Sequence, residues 1–271
     1  GLRGNKIIFP KVSVGATVNV LMASVLAKGT TEIYNVAKEP EIEDLGLCLK
    51  SMGAKIDGLG TSKITVDGVS KLKETSHRVM FDRIEAGTYA LAVAIAGGEI
   101  ELIGAKKKLL TFFLNILESI GVEYIVTDKS IIFKKRSNSL NPVDIITEPY
   151  PGFPTDLQAQ LMAVMSMSNG TSVITENIFE NRFMHAPELI RMGAKIKLKG
   201  NLAIVEGVKK LKGAEVMATD LRASVSLVLA GLAAEGTTNI DRIYHIDRGY
   251  QDIVKKLQIC GANINRIEVW K

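Results

Sequence analysis

The sequence predicts an α/β protein assembled from four tandem copies of one helix-strand-helix-strand unit, and three observations carry that prediction. First, a glycine-centred turn runs into a β-like stretch four times, at Gly29-Thr-Thr-Glu-Ile, Gly97-Gly-Glu-Ile, Gly170-Thr-Ser-Val-Ile and Gly236-Thr-Thr-Asn-Ile. Second, some two dozen residues after each turn another glycine introduces a short strand, at Gly53-Ala-Lys-Ile, Gly121-Val-Glu-Tyr-Ile, Gly193-Ala-Lys-Ile and Gly261-Ala-Asn-Ile. Third, hydrophobic spacing separates two helices of different character in every copy. Successive copies lie about seventy residues apart, longer than most solenoid units and enough for a small βαβ-type layer each time.

The helix ahead of each first turn is almost wholly small and apolar, over residues 14–27, 87–96, 157–167 and 223–234. A helix apolar on every side is expected to be buried all round. The helix between the two glycines is amphipathic. In the first copy Ile42, Leu45, Leu49 and Met52 recur at helical intervals among charged residues, and in the last copy Ile253, Leu257 and Cys260 do the same, so each is expected to bury one face. Every inner helix opens on polar residues: Lys11 and Ser13; Asp82, Arg83 and Glu85; Thr155 and Asp156; Thr219, Asp220 and Arg222. A helix start exposes unpaired N–H groups and about half a positive charge, which favours a carboxylate or a bound phosphate there. Asp156 and Asp220 read singly as N-caps or as site carboxylates; their recurrence beside arginines favours a site.

The bulk numbers exclude several classes. With 271 residues, 46% hydrophobic and 23% charged, the chain has an ordinary globular composition. Its apolar runs fall short of the roughly 20 residues a membrane span needs, so no membrane role is expected. The opening Gly1-Leu-Arg-Gly lacks an initiator Met and a signal-peptide run, and the chain is expected to begin partway through a longer gene product. A net charge of +5 favours an anionic partner. The short basic clusters at residues 106–108 and 134–136 read as solvated faces, so no nucleic-acid partner is expected. Cys48 and Cys260 have neither metal-ligand nor disulfide spacing and read as small apolar helix residues in a reducing cytoplasm. No metal or cofactor is expected.

Three local sequences carry chemistry. Pro151-Gly-Phe-Pro-Thr-Asp156 sets two prolines ahead of a buried helix, which stiffens the approach and fixes the aim of the Asp156 carboxylate, as suits a catalytic base. Glu180-Asn-Arg182-Phe-Met-His185 and Asp241-Arg-Ile-Tyr-His245-Ile-Asp247-Arg248-Gly hold the same place in copies three and four. Both are dense in Arg, His and carboxylate, and the planar fork of Arg donates two parallel bonds to phosphate or carboxylate. Arg248 reads as functional; Arg182 reads equally as functional or as one half of a buried ion pair. His77, His185 and His245 show no metal-ligand spacing and are assigned no catalytic role.

At these residues a family resemblance becomes specific. Lys11-Val-Ser-Val-Gly-Ala, Lys38-Glu-Pro-Glu-Ile, Phe-Pro-Thr-Asp156-Leu-Gln-Ala-Gln, Phe179-Glu-Asn-Arg-Phe-Met-His-Ala-Pro-Glu-Leu, Ala218-Thr-Asp-Leu-Arg-Ala-Ser and Asp241-Arg-Ile-Tyr-His-Ile-Asp-Arg-Gly-Tyr, in that order, resemble the UDP-N-acetylglucosamine 1-carboxyvinyltransferases of the enolpyruvyl transferase family. The resemblance covers essentially the whole chain. It implies an inside-out α/β barrel of repeated βαβαβ-type units in two lobes of three units, with the site in the cleft between lobes. Residues 1–80 would be the last unit of an incomplete first lobe, and 81–271 the second lobe. The implied reaction moves the enolpyruvyl group of phosphoenolpyruvate onto the 3-hydroxyl of UDP-N-acetylglucosamine and releases phosphate, the first committed step of peptidoglycan synthesis. By resemblance Asp156 would accept the hydroxyl proton, Lys11, Val12, Ser13, Val14 and Ile178 would hold the UDP-sugar, and Arg248 would bind the phosphate of phosphoenolpyruvate. Arg182, Asp220 and Arg222 would complete the polar cleft.

The chain departs from the family pattern at its start. Members carry, further upstream, a Lys-Asn pair that contacts phosphoenolpyruvate and a mobile loop with a Cys or Asp proton donor; neither motif occurs in this sequence, and neither cysteine matches that loop. The chain therefore resembles the C-terminal two-thirds of the enzyme, with the missing N-terminal segment as an expected partner and negligible turnover expected without it. Two other readings compete: a non-catalytic UDP-sugar-binding module, and the sister enzyme 3-phosphoshikimate 1-carboxyvinyltransferase, which would bind shikimate 3-phosphate instead.

Overall fold

Glycine sets the frame of each copy. Gly53, Gly121, Gly193 and Gly261, the second glycine in each, all sit at φ between 91° and 100°, a left-handed conformation that closes the preceding helix and strains any residue with a Cβ. These angles come from a computed structural model that describes residues 1–137 and 139–267. The chain separates into two compact units, Gly1–Phe81 with Pro149–Gly152, and Asp82–Glu148 with Phe153–Lys271.

The first unit runs β1 (Lys6–Ile8), α1 (Val14–Ser24), β2 (Thr30–Tyr34), α2 (Pro40–Ser51), β3 (Lys55–Asp57) and β4 (Lys63–Asp67). Its sheet has the order β1-β2-β4-β3. β1 lies parallel to β2, with Ile7 opposite Ile33, and the other two pairings are antiparallel. Alternate residues of β2 and β4, among them Ile33, Ile64 and Val66, turn onto a core with Leu21, Val25, Ile42 and Ile56. Pro40 at the first turn of α2 has no N–H to satisfy, which suits it to starting a helix.

The second unit holds the other three copies. It runs α3 (Arg83–Ala96), β5 (Glu99–Ile103), α4 (Thr111–Ile120), β6 (Val122–Val126), β7 (Ser130–Lys135), β8 (Ile145–Ile146), α5 (Gln158–Met165), β9 (Thr171–Thr175), α6 (Ala186–Arg191), β10 (Lys195–Lys199), β11 (Leu202–Glu206), β12 (Glu215–Met217), α7 (Leu221–Ala233), β13 (Asn239–Asp241), α8 (Tyr244–Asp247) and α9 (Ile253–Ile259). The apolar helices α3, α5 and α7 pack against one another, with β5 and β7 backing α3, and β9 and β11 backing α5. Helices inside and sheets outside is the layering expected from sequence; the sheets are separate, β5-β7-β6, β10-β11-β9-β8 and β12-β13, and close no barrel among the described residues. β2, β9 and β13 each carry a parallel edge strand, whereas β5 carries none on its outer edge among the described residues.

Three expectations need correction. α3, α5 and residues 223–230 of α7 are buried on almost every side, but on α1 only Thr17, Leu21 and Ser24 are buried, and Val14 and Met22 are exposed. The cause is packing: each inner helix of the second unit lies between two others, while α1 has only α2 and one sheet within its unit. The strand expected after Gly261 does not form among the described residues; β3, β6 and β10 each pair with a returning strand, and no such strand follows here up to residue 267. Cys260 is exposed just past α9 rather than packed as an apolar helix residue, while Cys48 lies half-buried in α2. No helix of the described residues is long and apolar enough to cross a membrane.

Candidate functional site

Four elements of the second unit bring charge together. Pro154 leads into a 3-10 turn, Thr155–Leu157, that precedes α5, so Asp156 lies inside the turn with its carboxylate directed at side chains. Arg182 donates through Nη2 to Asp156 Oδ1 at 2.6 Å, and Arg222 through Nη2 to Oδ2 at 3.2 Å. One carboxylate thus answers two guanidinium groups, one oxygen to each. Burial pushes the Asp156 carboxyl up, but the charges of Arg222 and then Arg182, with their hydrogen bonds, outweigh it and leave the group below the usual carboxylate range.

Each arginine is also held from behind. Arg182 Nη1 donates to Thr155 Oγ1 at 2.8 Å, and its guanidinium lies 4.6 Å from the centre of the Phe179 ring. Thr155 in turn donates to Glu176 Oε2 at 2.8 Å. Glu176, buried at the end of β9, accepts on Oε1 from Thr147 Oγ1 and from the Ile178 and Phe179 amides, which shapes the loop that delivers Arg182. Arg222 Nη1 donates to the Tyr250 hydroxyl at 3.3 Å. Thr88 Oγ1 gives its proton to the Ile84 carbonyl, so at 2.9 Å it is the Tyr250 O–H that donates to Thr88, which leaves the Tyr250 oxygen as the acceptor for Arg222. Gln160 Nε2 closes the network onto Thr88, Tyr250 and the Asp156 carbonyl. Tyr250→Phe removes one buried acceptor and one donor at once. It is expected to cost about 1–2 kcal/mol of stability, measured by thermal unfolding, and no change would show that the phenol is solvated instead.

Asp220 accepts on Oδ1 from the amides of Arg222 at 2.8 Å and Ala223 at 2.9 Å, so it caps α7. The cap fixes Arg222 in the first turn, aimed at Asp156. His185 is buried beside Phe183, its Nε2 has no hydrogen-bond partner among the described residues, and burial lowers it to about 4, with Asp220 opposing and Arg182 adding to the fall. An unprotonated His185 adds no further positive charge beside Arg182.

Of the residues singled out from sequence, the structure brings together Asp156, Arg182 and Arg222, with Asp220 behind them. Ile178 reaches this cluster only through its backbone amide on Glu176, and its side chain is partly exposed. Arg248 is exposed directly after α8 and makes no ion pair among the described residues. Lys11, Val12, Ser13 and Val14 belong to the first unit, where Ser13 Oγ caps α1 by accepting from the Ala16 amide at 3.2 Å and Lys11 is exposed. Sequence reasoning missed Glu176, Gln160, Thr88 and Tyr250. Tyr250 stands inside a motif quoted above, yet its partner Gln160 is 90 residues away in the chain, a separation that local pattern does not bridge.

Comparison with known proteins gives the family of the chain. A family profile described as EPSP synthase (3-phosphoshikimate 1-carboxyvinyltransferase) matches residues 1–257. A protein of Cereibacter sphaeroides named UDP-N-acetylglucosamine 1-carboxyvinyltransferase is 57% identical over 267 residues, 98% of this chain and 63% of the relative. One of Paracoccus denitrificans with the same name is 58% identical over 268 residues, 99% of this chain and 63% of the relative. The chain therefore spans about 63% of the length of these curated relatives. Among solved structures, the enolpyruvyl transferase NikO from Streptomyces tendae matches with a TM-score of 0.84 at 27% identity, over 92% of this chain and 59% of that one. EPSP synthase from Acinetobacter baumannii matches in fold, with a TM-score of 0.77 at 22% identity, over 98% of this chain and 64% of that one.

Proposed function

The chain belongs to the EPSP synthase (3-phosphoshikimate 1-carboxyvinyltransferase) family, and from that premise we propose that it is the larger part of an enzyme that moves an enolpyruvyl group from phosphoenolpyruvate to the 3-hydroxyl of UDP-N-acetylglucosamine. The observation that carries this reading is the Asp156 carboxylate set between Arg182 and Arg222 at the start of a buried helix. Its choice of acceptor follows the names of relatives at 57–58% identity. Residues 1–80 are read as the last repeat of one lobe and 81–271 as the other lobe.

A sugar hydroxyl is a poor nucleophile at neutral pH, so its O–H bond must break as the new C–O bond forms at the enolpyruvyl carbon, with the proton passing to a placed base. Asp156 is assigned that role. The bond from the same carbon to the phosphate oxygen breaks, and inorganic phosphate leaves. Arg248, Arg222 and Arg182 answer the phosphate charge, because guanidinium forks hold phosphate oxygens where charge develops. Lys11, Val12, Ser13, Val14 and Ile178 are assigned to the UDP-sugar, and Asp220 to holding Arg222.

Calorimetric titration tests the acceptor. UDP-N-acetylglucosamine is expected to bind this chain with measurable heat, and shikimate 3-phosphate is not. The reverse preference would move the chain to the sister activity, whose name the family description bears.

A further inference from the structure

The turn that joins α5 to β9 holds a reactive pair. Asn169-Gly170 is the one place in the sequence where glycine follows asparagine, and both residues are exposed. Glycine brings no Cβ to crowd its own nitrogen, so the side-chain carbonyl carbon of Asn169 can approach the Gly170 nitrogen. The peptide unit between them is also unheld. The Asn169 side-chain amide, the Asn169 carbonyl and the Gly170 N–H have no hydrogen-bond partner among the described residues. Bonds secure the chain on either side instead: Asn169 N donates to Leu140 O at 2.7 Å, and Gly170 O accepts from Gly207 N at 2.8 Å.

The repeat shows that the asparagine has no duty in the fold. The same turn in copies one and four carries Lys28 and Glu235, whose amides donate in the same way to Leu2 O and Leu211 O, each at 2.9 Å. A cation and a carboxylate both fit at this point, so asparagine at 169 adds chemistry and no contact.

We propose that Asn169 is a site of spontaneous deamidation through a cyclic imide, which converts this turn of the folded chain into a mixture of aspartyl and isoaspartyl linkages. Gly170 N gives its proton to hydroxide and attacks Asn169 Cγ; the bond from Cγ to the side-chain nitrogen breaks, and ammonia leaves with a proton from water. A second water opens the five-membered ring at one of its two carbonyl carbons. Opening at the main-chain carbonyl leaves a backbone that runs through Cβ and Cγ, one carbon longer than before, with a carboxylate to the side. Only water is consumed. The aspartyl product puts a carboxylate where Glu235 already stands in copy four. The isoaspartyl product lengthens a turn pinned at Leu140 and Gly207, beside the close approach of Gly207 to the Ser168 carbonyl, and so disturbs the crossing that fastens β9. β9 leads directly into Glu176, the buried support of Thr155 and of the Arg182 loop. The inference is independent of the proposed reaction.

The test incubates the full folded chain in mildly alkaline buffer at physiological temperature and maps its peptides by mass spectrometry. Asn169 is expected to gain one dalton about tenfold faster than any other asparagine of the chain. The same peptide is expected to accept a methyl group from protein-isoaspartate methyltransferase. Asn169→Lys, which installs the residue of copy one, is expected to keep the melting temperature and to lose both the fast mass gain and the methyl label. Absence of a mass gain at Asn169 in the folded chain overturns the proposal, as does a label that persists in Asn169→Lys. Melting separates the two products. Asn169→Asp carries the charge without the longer backbone and is expected to melt with the unsubstituted chain, whereas aged chain enriched in the isoaspartyl form is expected to melt below both. Aged chain that melts with Asn169→Asp overturns the disturbance assigned to the crossing.

Discussion

Alanine in place of Gly207 is expected to destabilise the second unit by about 3 kcal/mol or more, the upper range for overpacking against a part of the structure that cannot turn aside. A Cβ there would lie 1.8 Å from the backbone oxygen of Ser168. The two segments are tied at that point, with Gly207 N donating to Gly170 O at 2.8 Å and Val208 N to Ser166 O at 2.8 Å. The same crossing recurs in the first unit, where Gly68 N donates to Gly29 O at 3.0 Å and a Cβ would fall 1.6 Å from Ala27 O. Thermal unfolding is the measure, and a fall of roughly 6–12 °C is expected for a unit of this size. Gly15→Ala serves as the contrast, because a Cβ in that first turn of α1 meets nothing within 4 Å. It is expected to be neutral or to stabilise by up to about 1 kcal/mol. A Gly207→Ala melt as high as that of the unsubstituted chain would mean that the crossing yields easily.

Acid is expected to remove about 3 kcal/mol of stability through His185 alone between pH 6.5 and 4. Burial lowers this imidazole from its ordinary 6.5 to about 4 in the folded chain. Between those values the unfolded chain binds a proton that the folded chain refuses, so stability falls as pH falls through the window and is fully present above it. A shift of this size corresponds to about 3 kcal/mol at 1.36 kcal/mol per pH unit. Asp156 and Asp247 are held below their ordinary 3.8, so their contributions are lost at lower pH and do not fill this window. Urea unfolding at pH 7 and pH 4 reads the effect, and the difference between the two is expected to shrink by that amount in His185→Leu. An identical pH dependence in both chains would show that the imidazole is hydrated when folded.

The repeat was legible because its signals are local. Each left-handed glycine, each GT-type turn and each all-apolar helix stretch can be read in a window of a dozen residues, and α3, α5 and α7 follow from them. Asp156, Arg182 and Arg222 were also readable as candidates, since each stands in a dense polar motif. Their mutual geometry was not. Whether Arg182 is an ion-pair partner or a ligand group reduces, in the structure, to the Asp156 carboxylate that it shares with Arg222, which stands 66 residues beyond Asp156 in the chain, a relation no local pattern contains. The supports failed to show for a related reason: Glu176 reads as an ordinary polar strand end, and Gln160 and Thr88 read as tolerated polar residues in apolar helices. On α1 the composition suggested complete burial, but composition does not report how many neighbours a helix finds.

The outer edge of β5 has no partner strand among the described residues, and its side chains bear on what can pair with it. A bare row of strand N–H and C=O groups is a template for any extended segment in solution. Glu101, which accepts from Ser130 Oγ at 2.6 Å, stands at the centre of this five-residue strand and Glu99 at its start, with Lys134 3.5 Å from Glu99 on an exposed surface. Two copies aligned edge to edge in register would set Glu101 against Glu101 whichever way they ran, and like charges directly opposite disfavour pairing. A guest segment bearing lysine or arginine at alternate positions would meet those carboxylates favourably instead. Among the described residues, this edge therefore disfavours pairing with a second copy of itself.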